Sequence, residues 1–516
     1  MKKYRIRIWA IIMLLSIMLS SVVLGIPAKA NGDNTGNESI EIPSKFDLRE
    51  LGMVTPVRNI GNYPLCWAFA FIASIESNAL MKGYGMLDLS EYHASYLASY
   101  NSVNAPKEIE GEGIKTNGAW YSIFASPEYI ADAYMQGYAI QSEDDFPYGV
   151  STCLNGDIHR TDGPLYVDSC YSVPITDIDT VKKLIMQNGA AAISISYSAF
   201  EIIYYSRRAN LYVPMVGYNL YDPQHGNFFD APLDHYVVIV GWDDSYSRDE
   251  FETKPPADGA WIVKNCFGRA YGDDGYDYIS YYDGAFRETG NLVLSFITNN
   301  EKSFDRVYQY DGSRGCLSVS DTEGVAMDIK ASDHERLNAV RIWVRPDEGE
   351  KTFSGCNATV SVYNNSDEGN ELIYQQKFDI TYGGYQTLKF AEAVRLVKND
   401  KYRIEVTFDR PVNYAFDGNF TDYDEEGDYV RYEFVSLPSP FETYVLRASE
   451  GDWVDAYDTI IDDSRCTACI KALSLKMTPS EYLPIRAITI TAWSLFAIII
   501  LSLCIFVIKN VKSRYE

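Results

Sequence analysis

Positive charge is scarce in this 516-residue chain: Lys and Arg total 45 against 71 Asp and Glu, a formal net charge of −26. Such a surface repels nucleic acid and anionic lipid heads and excludes both as partners. Cysteine is sparse as well. Nine residues (Cys66, Cys153, Cys170, Cys266, Cys316, Cys356, Cys466, Cys469, Cys504) are an odd number and too few for a disulfide-stapled scaffold. Histidine numbers only five, so chemistry that needs an imidazole has few candidates. No internal repeat and no low-complexity tract is visible, which leaves repeat architectures out. What remains is an acidic chain, 47% hydrophobic and long enough for two folded domains plus short extras.

Both ends carry long apolar runs. The start, MKKYRIR, is basic, an apolar run follows from Ile8 to Leu24, and Ala28-Lys29-Ala30 supplies a small-x-small cleavage pattern. Residues 1–30 are expected to be a secretory signal peptide, against the competing reading of a retained anchor. Near the other end, 22 residues between Arg486 and Lys509 carry no charge. At 1.5 Å per residue that is about 33 Å of helix, enough to cross a bilayer. A buried core helix is the alternative, but it rarely runs so long. Residues 487–508 are therefore expected to be a transmembrane helix. Lys509, Lys512 and Arg514 in the tail, 509–516, place that tail in the cytoplasm and the bulk of the chain outside the cell.

Between these ends the texture changes once. Residues 31–43 form a polar lead-in, too short for an inhibitory pro-domain. Residues 44–297 mix helix and strand patterns, an α+β character. Cys66 to Met81 is rich in Ala, Phe and Ile at helical spacing and stops at Gly83. His235–Gly241, Ala260–Lys264 and Tyr276–Tyr282 read as strands. Residues 304–478 alternate instead, as in Val340–Val344, Thr359–Tyr363 and Tyr402–Phe408, with turn residues between. That pattern predicts an all-β sandwich.

Cys66 stands at the front of its predicted helix. Unpaired N–H groups and the positive end of the helix dipole favour a thiolate there, and the thiolate is the nucleophilic form. A cysteine before an apolar helix is otherwise an ordinary core residue. Its base would be a histidine. His235 begins the strongly apolar strand Tyr-Val-Val-Ile-Val-Gly241, which holds it rigid. His93, His159, His225 and His334 lie in surroundings read as polar or loop-like. Asn265 follows the apolar strand Ala260–Lys264 and is placed to orient the imidazole, although an Asn at a strand end is often only a turn residue.

These residues sit in a wider set of motifs. Pro56-Val-Arg-Asn-Ile-Gly-Asn-Tyr-Pro-Leu-Cys66-Trp-Ala-Phe69 resembles the nucleophile segment of papain-family cysteine peptidases. Phe46-Asp-Leu-Arg49 and Val54-Thr-Pro56 resemble the start of the mature enzyme. Leu89-Ser-Glu91, Asn117-Gly118 and Phe146-Pro-Tyr148 fall where that family has related motifs, and Asp234-His235 and Trp261-Ile-Val-Lys-Asn265 match its histidine and asparagine segments. The resemblance covers about 44–297, and the order Cys, His, Asn agrees with it. Gly241-Trp-Asp-Asp244, Gly259–Asn265 and Gly275-Tyr-Asp-Tyr-Ile-Ser-Tyr-Tyr-Asp283 are similar to bacterial members with a C-terminal lectin-like β-domain, as is Cys469-Ile-Lys-Ala472 over 304–478. The resemblance implies a two-lobed peptidase domain with Cys66 as nucleophile, His235 as base and Asn265 as orienting group. It implies a protein or peptide substrate and no metal or cofactor, with a carbohydrate as a further ligand of the β-domain.

Departures from the family pattern fall at the site. The family's glutamine six residues before the nucleophile, an oxyanion donor, is Ile60, which cannot donate. Asn59 and Asn62 are the nearby substitutes. Tyr63 replaces a disulfide cysteine, Phe267 a tryptophan that shields the Asn–His bond, and Ala119 a glycine that contacts the substrate backbone. The competing function is therefore a non-catalytic surface protein, a pseudopeptidase or a glycan- or peptide-binding adhesin, with Ile60 as its support.

Three smaller features complete the reading. Cys153 and Cys170 are a plausible disulfide pair. Cys466-Thr-Ala-Cys469 has redox spacing but lies in a β-rich stretch, not at a strand-to-helix turn. Asp422-x-Asp424-x-Glu426-Gly427-x5-Glu433 has the spacing of a calcium loop, yet its flanks read as strand, which favours an acidic hairpin.

Overall fold

The computed structural model describes residues 41–99, 112–116, 125–149, 158–196, 210–211, 219–222, 227–230, 233–251, 254–287, 291–312, 317–347, 351–366, 369–423, 430–461, 464–482 and 502. The expected signal peptide, most of the lead-in, the cytoplasmic tail and, apart from Ser502, the expected membrane span lie outside them. So do Ala119, Cys153 and His225. Among the described residues no helix is long and apolar enough to cross a membrane.

Helix α1 occupies Cys66–Met81, and its Trp67, Phe71, Ile72 and Ile75 are all but inaccessible. Each such side chain contributes roughly 1.5–3 kcal/mol through burial. Leu65, at the N-cap, offers no side-chain bond, so the first-turn N–H groups stay available to the thiol. Helices α2 (Glu91–Ser99) and α3 (Pro127–Met135) pack with α1 to make the first lobe. Helix α3 starts cleanly: Ser126 accepts a hydrogen bond from Glu128 N at 3.2 Å and Pro127 opens the first turn.

The second lobe is a sheet with one helix, α4 (Ile178–Asn188), against it. The principal strands of this part of the chain are β1 (Lys45–Asp47), β2 (Gly113–Thr116), β3 (Tyr166–Pro174), β4 (Ala191–Ile195), β5 (His235–Asp243), β6 (Ala260–Lys264), β7 (Tyr276–Ser280) and β8 (Leu292–Asn299), with three short strands between β4 and β5. Strand β5 pairs antiparallel with β1, β4 and β6, with Ile195 opposite His235 and Val238 opposite Lys264. Gly241 lies where β1 crosses; a Cβ there would stand 2.2 Å from the Phe46 carbonyl oxygen, so no larger residue fits.

The rest is almost wholly strand: β9 (Arg306–Tyr308), β10 (Leu317–Lys330), β11 (Glu335–Arg345), β12 (Cys356–Ser366), β13 (Gly369–Ile380), β14 (Gly383–Leu396), β15 (Lys401–Asp417), β16 (Phe420–Tyr423), β17 (Val430–Val435), β18 (Thr443–Arg447), β19 (Trp453–Asp455) and β20 (Ile470–Lys476). One antiparallel run follows the order β13-β12-β15-β10-β18-β19. A second follows β14-β11-β20-β9. They meet at a corner where Val344 and Arg345 face Tyr414 and Asn413. Apolar residues of both runs, among them Val325, Ile342, Val360, Ile404 and Ile470, share one core.

The two regions are joined by strands as well as by side chains. Gly383–Tyr385 pairs antiparallel with Ser172–Cys170 of β3. Gly384 has φ +102° there, and a Cβ would lie 2.1 Å from the Cys170 carbonyl oxygen, so the junction requires glycine. Strand β2 pairs with β17, in a small sheet of order β16-β17-β2.

Several sequence expectations need correction. Cys170 is a free, fully buried thiol on β3, not half of a bridge with Cys153; its strand is paired on both sides, with β8 and β14, inside the core. Cys469 is likewise a free, buried thiol, and Cys466 is buried near it. By contrast, the described flanks of the calcium-loop pattern are the paired strands β16 and β17, as expected from sequence. His93 is not in a polar or loop-like setting: it is buried on α2 and bonded to the Tyr134 hydroxyl at 2.7 Å and the Ile158 carbonyl at 2.8 Å.

Candidate active site

The site lies where the first turn of α1 packs against the start of β5. Cys66 is α1's first residue and only 4% exposed. Its sulfur faces backbone N–H groups of Trp67, of Cys66 itself and of Tyr236, the residue after His235; each of these bonds favours the thiolate. Burial outweighs them and pushes the thiol up to about 12.

His235 opens β5 and is buried. Its Nε2 is 3.0 Å from Asn265 Oδ1. Burial holds its pKa down to about 4, against the opposing pull of the Asn265 bond and the nearby Asp234 charge. Burial therefore opposes both charges of a resting thiolate–imidazolium pair. The Phe267 ring stacks on the imidazole with centroids 4.8 Å apart and planes 10° from parallel.

Asn265 immediately follows β6, and its amide is fixed at both ends. Oδ1 also accepts from Cys266 N at 2.8 Å, and Nδ2 donates to Asp277 Oδ2 at 2.9 Å. Asp277, on β7, is fully buried, and burial raises its pKa to about 7. The sequence reading quoted the motif containing Asp277 but gave the residue no role. Alternation along Tyr276–Ser280, opposite Val263 in the pairing of β7 with β6, is the signal that would have turned it inward.

A second missed group lies behind the site. Arg58 Nη2 is 2.6 Å from Glu76 Oε1, and the same guanidinium also pairs with Glu91 and Asp88. Thr55 Oγ1 donates to Glu76 at 2.6 Å, and Lys264 Nζ donates to the Thr55 carbonyl at 2.9 Å. Burial raises Glu91 to about 8 and lowers Lys264 to about 8. A cavity of about 20 Å³, the size of one water, lies among Arg58, Glu76, Glu91, Lys264 and Asn265. The motifs around Arg58 and Glu91 were read in sequence, but not their pairing.

At the expected oxyanion position, Ile60 turns inward and is 4% exposed. Its N–H is used by the Cys266 carbonyl at 2.7 Å and its carbonyl by the Tyr148 hydroxyl at 2.9 Å. Asn59 and Asn62 are exposed, and Asn59 Oδ1 accepts from Gly61 N at 2.9 Å. Among the described residues no group of three or more His, Cys, Asp or Glu is arranged to hold a metal ion.

A cysteine at a helix N-terminus beside a strand-borne His–Asn pair defines a class, and comparison agrees with it. Residues 42–288 match the model of the papain family of cysteine proteases. Among curated relatives, the chain is 27% identical over 241 residues to a cathepsin L-like peptidase of Aedes aegypti, covering 46% of this chain and 59% of the relative. It is 28% identical over 268 residues to a viral cathepsin of Choristoneura fumiferana nuclear polyhedrosis virus, covering 52% and 65%. The chain thus spans less than two thirds of the length of these relatives. Two structures of the clostridial cysteine protease Cwp84 extend the likeness of fold through the β-region. One, after propeptide cleavage, has TM-score 0.64 at 22% identity, over 84% of this chain and all of the other. The second comprises the cysteine protease and lectin-like domains of Cwp84, a surface layer associated protein of Clostridium difficile. It has TM-score 0.60 at 21% identity over 85% and 90% of the two chains.

Proposed function

We propose that this chain is a cell-surface cysteine endopeptidase that cleaves peptide bonds through a Cys66 thioacyl intermediate. The observation that carries the reading is the bonded line His235–Asn265–Asp277 beside a cysteine at a helix N-terminus. Asn265 occupies Nε2, so Nδ1 is the nitrogen that takes the Cys66 proton. Because burial opposes both charges, the proton moves as the sulfur attacks the scissile carbonyl. His235 then gives that proton to the departing amine. Neutral His235 next takes a proton from water, whose oxygen attacks the thioester and releases the acid product with the Cys66 thiol restored. None of these steps calls for a metal or cofactor.

The oxyanion has the Cys66 N–H but no side-chain donor at position 60. Loss of one such donor slows acyl transfer about 10²–10³-fold, so turnover is slow for the family. The signal-peptide and span patterns at 1–30 and 487–508 support a single-pass protein with both folded regions outside the cell. The surface layer association of Cwp84 points the same way. Its lectin-like domain supports a carbohydrate ligand for residues 304–478.

The test is an epoxide that alkylates active-site cysteines, used on the full chain with Ile60→Gln alongside wild type. Labelling should require Cys66 and His235, and Ile60→Gln should raise peptide hydrolysis. Ile60 also favours the second reading, a pseudopeptidase or adhesin. An unreactive Cys66, with no gain from Ile60→Gln, would establish that reading instead.

A further inference from the structure

We infer that the β-region is part of the peptidase site: by gripping helix α3 it fixes the backbone that faces the Cys66 sulfur. The inference rests on Cys66 being the nucleophile.

Helix α3 has nine residues, too few to hold itself in water. Side chains from the β-region grip it along its length. Glu128 accepts the Trp343 indole N–H at 3.1 Å and pairs with Arg345 at 3.7 Å. Phe434 meets the Tyr129 ring edge-on with centroids 5.3 Å apart. Lys471 Nζ lies 3.2 Å from Asp132 Oδ1. The Arg341 guanidinium donates to the Met135 carbonyl at the last turn. Trp343, Arg341, Lys471 and Phe434 are all buried. An acid in the first turn and a cation at the last both suit the helix dipole.

The first turn of α3 leads to the nucleophile. Ser126 caps the helix and also bonds the Tyr236 hydroxyl, which Ser194 on β4 shares. Tyr236 follows His235 on β5, and its backbone N–H faces the Cys66 sulfur. The path therefore runs from Trp343 through Glu128, Ser126 and Tyr236 to Cys66. Trp343 and Glu128 act on the site as positioning residues.

Substitutions in the full chain test this, with Cys66 alkylation by iodoacetamide at pH 6–9 measured beside peptide hydrolysis and thermal melting. Trp343→Phe keeps an aromatic ring but removes the indole N–H together with the five-membered ring that carries it. Tyr236→Phe removes only the hydroxyl. Each should slow alkylation about 10-fold, the size of one net hydrogen bond, and lower kcat while KM stays within about twofold. The double variant should lose no more than the worse single one, because both lie on one path. Glu128→Gln, which still accepts the indole N–H, should stay within about twofold of wild type. If Trp343→Phe does not fold, Tyr236→Phe and Glu128→Ala carry the same test. Folded variants alkylated at the wild-type rate, or losses that simply add, would overturn the inference. A wild type that cleaves no peptide yet shows His235-dependent alkylation would sink the peptidase reading alone, since alkylation reads the positioning directly.

Discussion

The cleft and the contact around helix α3 are both buried and polar, and they treat charge in opposite ways. Around α3 the named acids meet cations: Lys471 lies between Asp132 and Asp311, and Glu128 pairs with Arg345. In the cleft, burial pushes Cys66 and His235 toward their neutral forms and Asp277 toward its acid form. The first arrangement pins two regions in one geometry. The second keeps groups whose protons can move, which is what acid–base work requires. Fixed pairs should therefore be worth stability and little chemistry, and cleft groups the reverse.

The largest expected effect is at Lys471. Lys471→Met removes the fully buried cation that pairs with both Asp132 and Asp311. Breaking a buried pair from one side costs about 3–5 kcal/mol, because the partner charges are left uncompensated. Denaturant midpoints of wild type and variant measure it. In the cleft, His235→Gln should cost under about 1 kcal/mol in the same assay while abolishing Cys66 labelling, because active-site groups are rarely optimised for stability. Equal stability losses at the two positions would erase the distinction.

A smaller effect is expected from pH at Asp277. Its folded pKa is raised from 3.8 to about 7 by burial. The folded chain thus binds that proton more tightly than the unfolded chain. The stability Asp277 contributes is full below pH 3.8 and is lost as pH rises through about 7. Asp277→Asn removes the titration and keeps an oxygen for the Asn265 amide. Glu91 and Asp311 are also raised, so the telling quantity is the difference between variant and wild type. Melting temperatures between pH 5 and 8 should show the variant gaining on wild type as pH rises. A constant difference would mean that Asp277 does not titrate in this range.

The site was legible in sequence because each part of it is a short run carried on one local element. Helix Cys66–Met81 follows from its own spacing, and the apolar runs around His235 and before Asn265 are strands, His235 extending on to Asp243. The grip on α3 was not legible. In Val340-Arg-Ile-Trp-Val344, alternation makes Arg341 a solvent-facing residue, as it does for Lys471 in Cys469-Ile-Lys-Ala472. Both faces of these strands are covered, and the second cover is residues 127–135 and 166–174, far away in sequence. Periodicity reports that a face is polar, not whether another region has closed over it. Asp277 stayed hidden for a related reason: its partner Asn265 is defined only once β6 and β7 pair.

The smallest effect separates a shield from a contact that tunes reactivity. Phe267 lies on the His235 ring, and its far edge meets Tyr271 at 5.1 Å between centroids. It is only half-buried, so the second ring of an indole has solvent to enter. Phe267→Trp should therefore change Cys66 alkylation by less than about twofold, since the stacking face already exists and an aromatic pair adds only about 0.5–1.5 kcal/mol beyond area. Phe267→Ala removes that face and lets water compete for the 3.0 Å bond between His235 and Asn265. Its alkylation rate should fall about 10-fold, the size of one net hydrogen bond. Equal rates for the alanine and tryptophan variants would show that the ring does not shield the pair, and that burial of His235 by the rest of the lobe is enough.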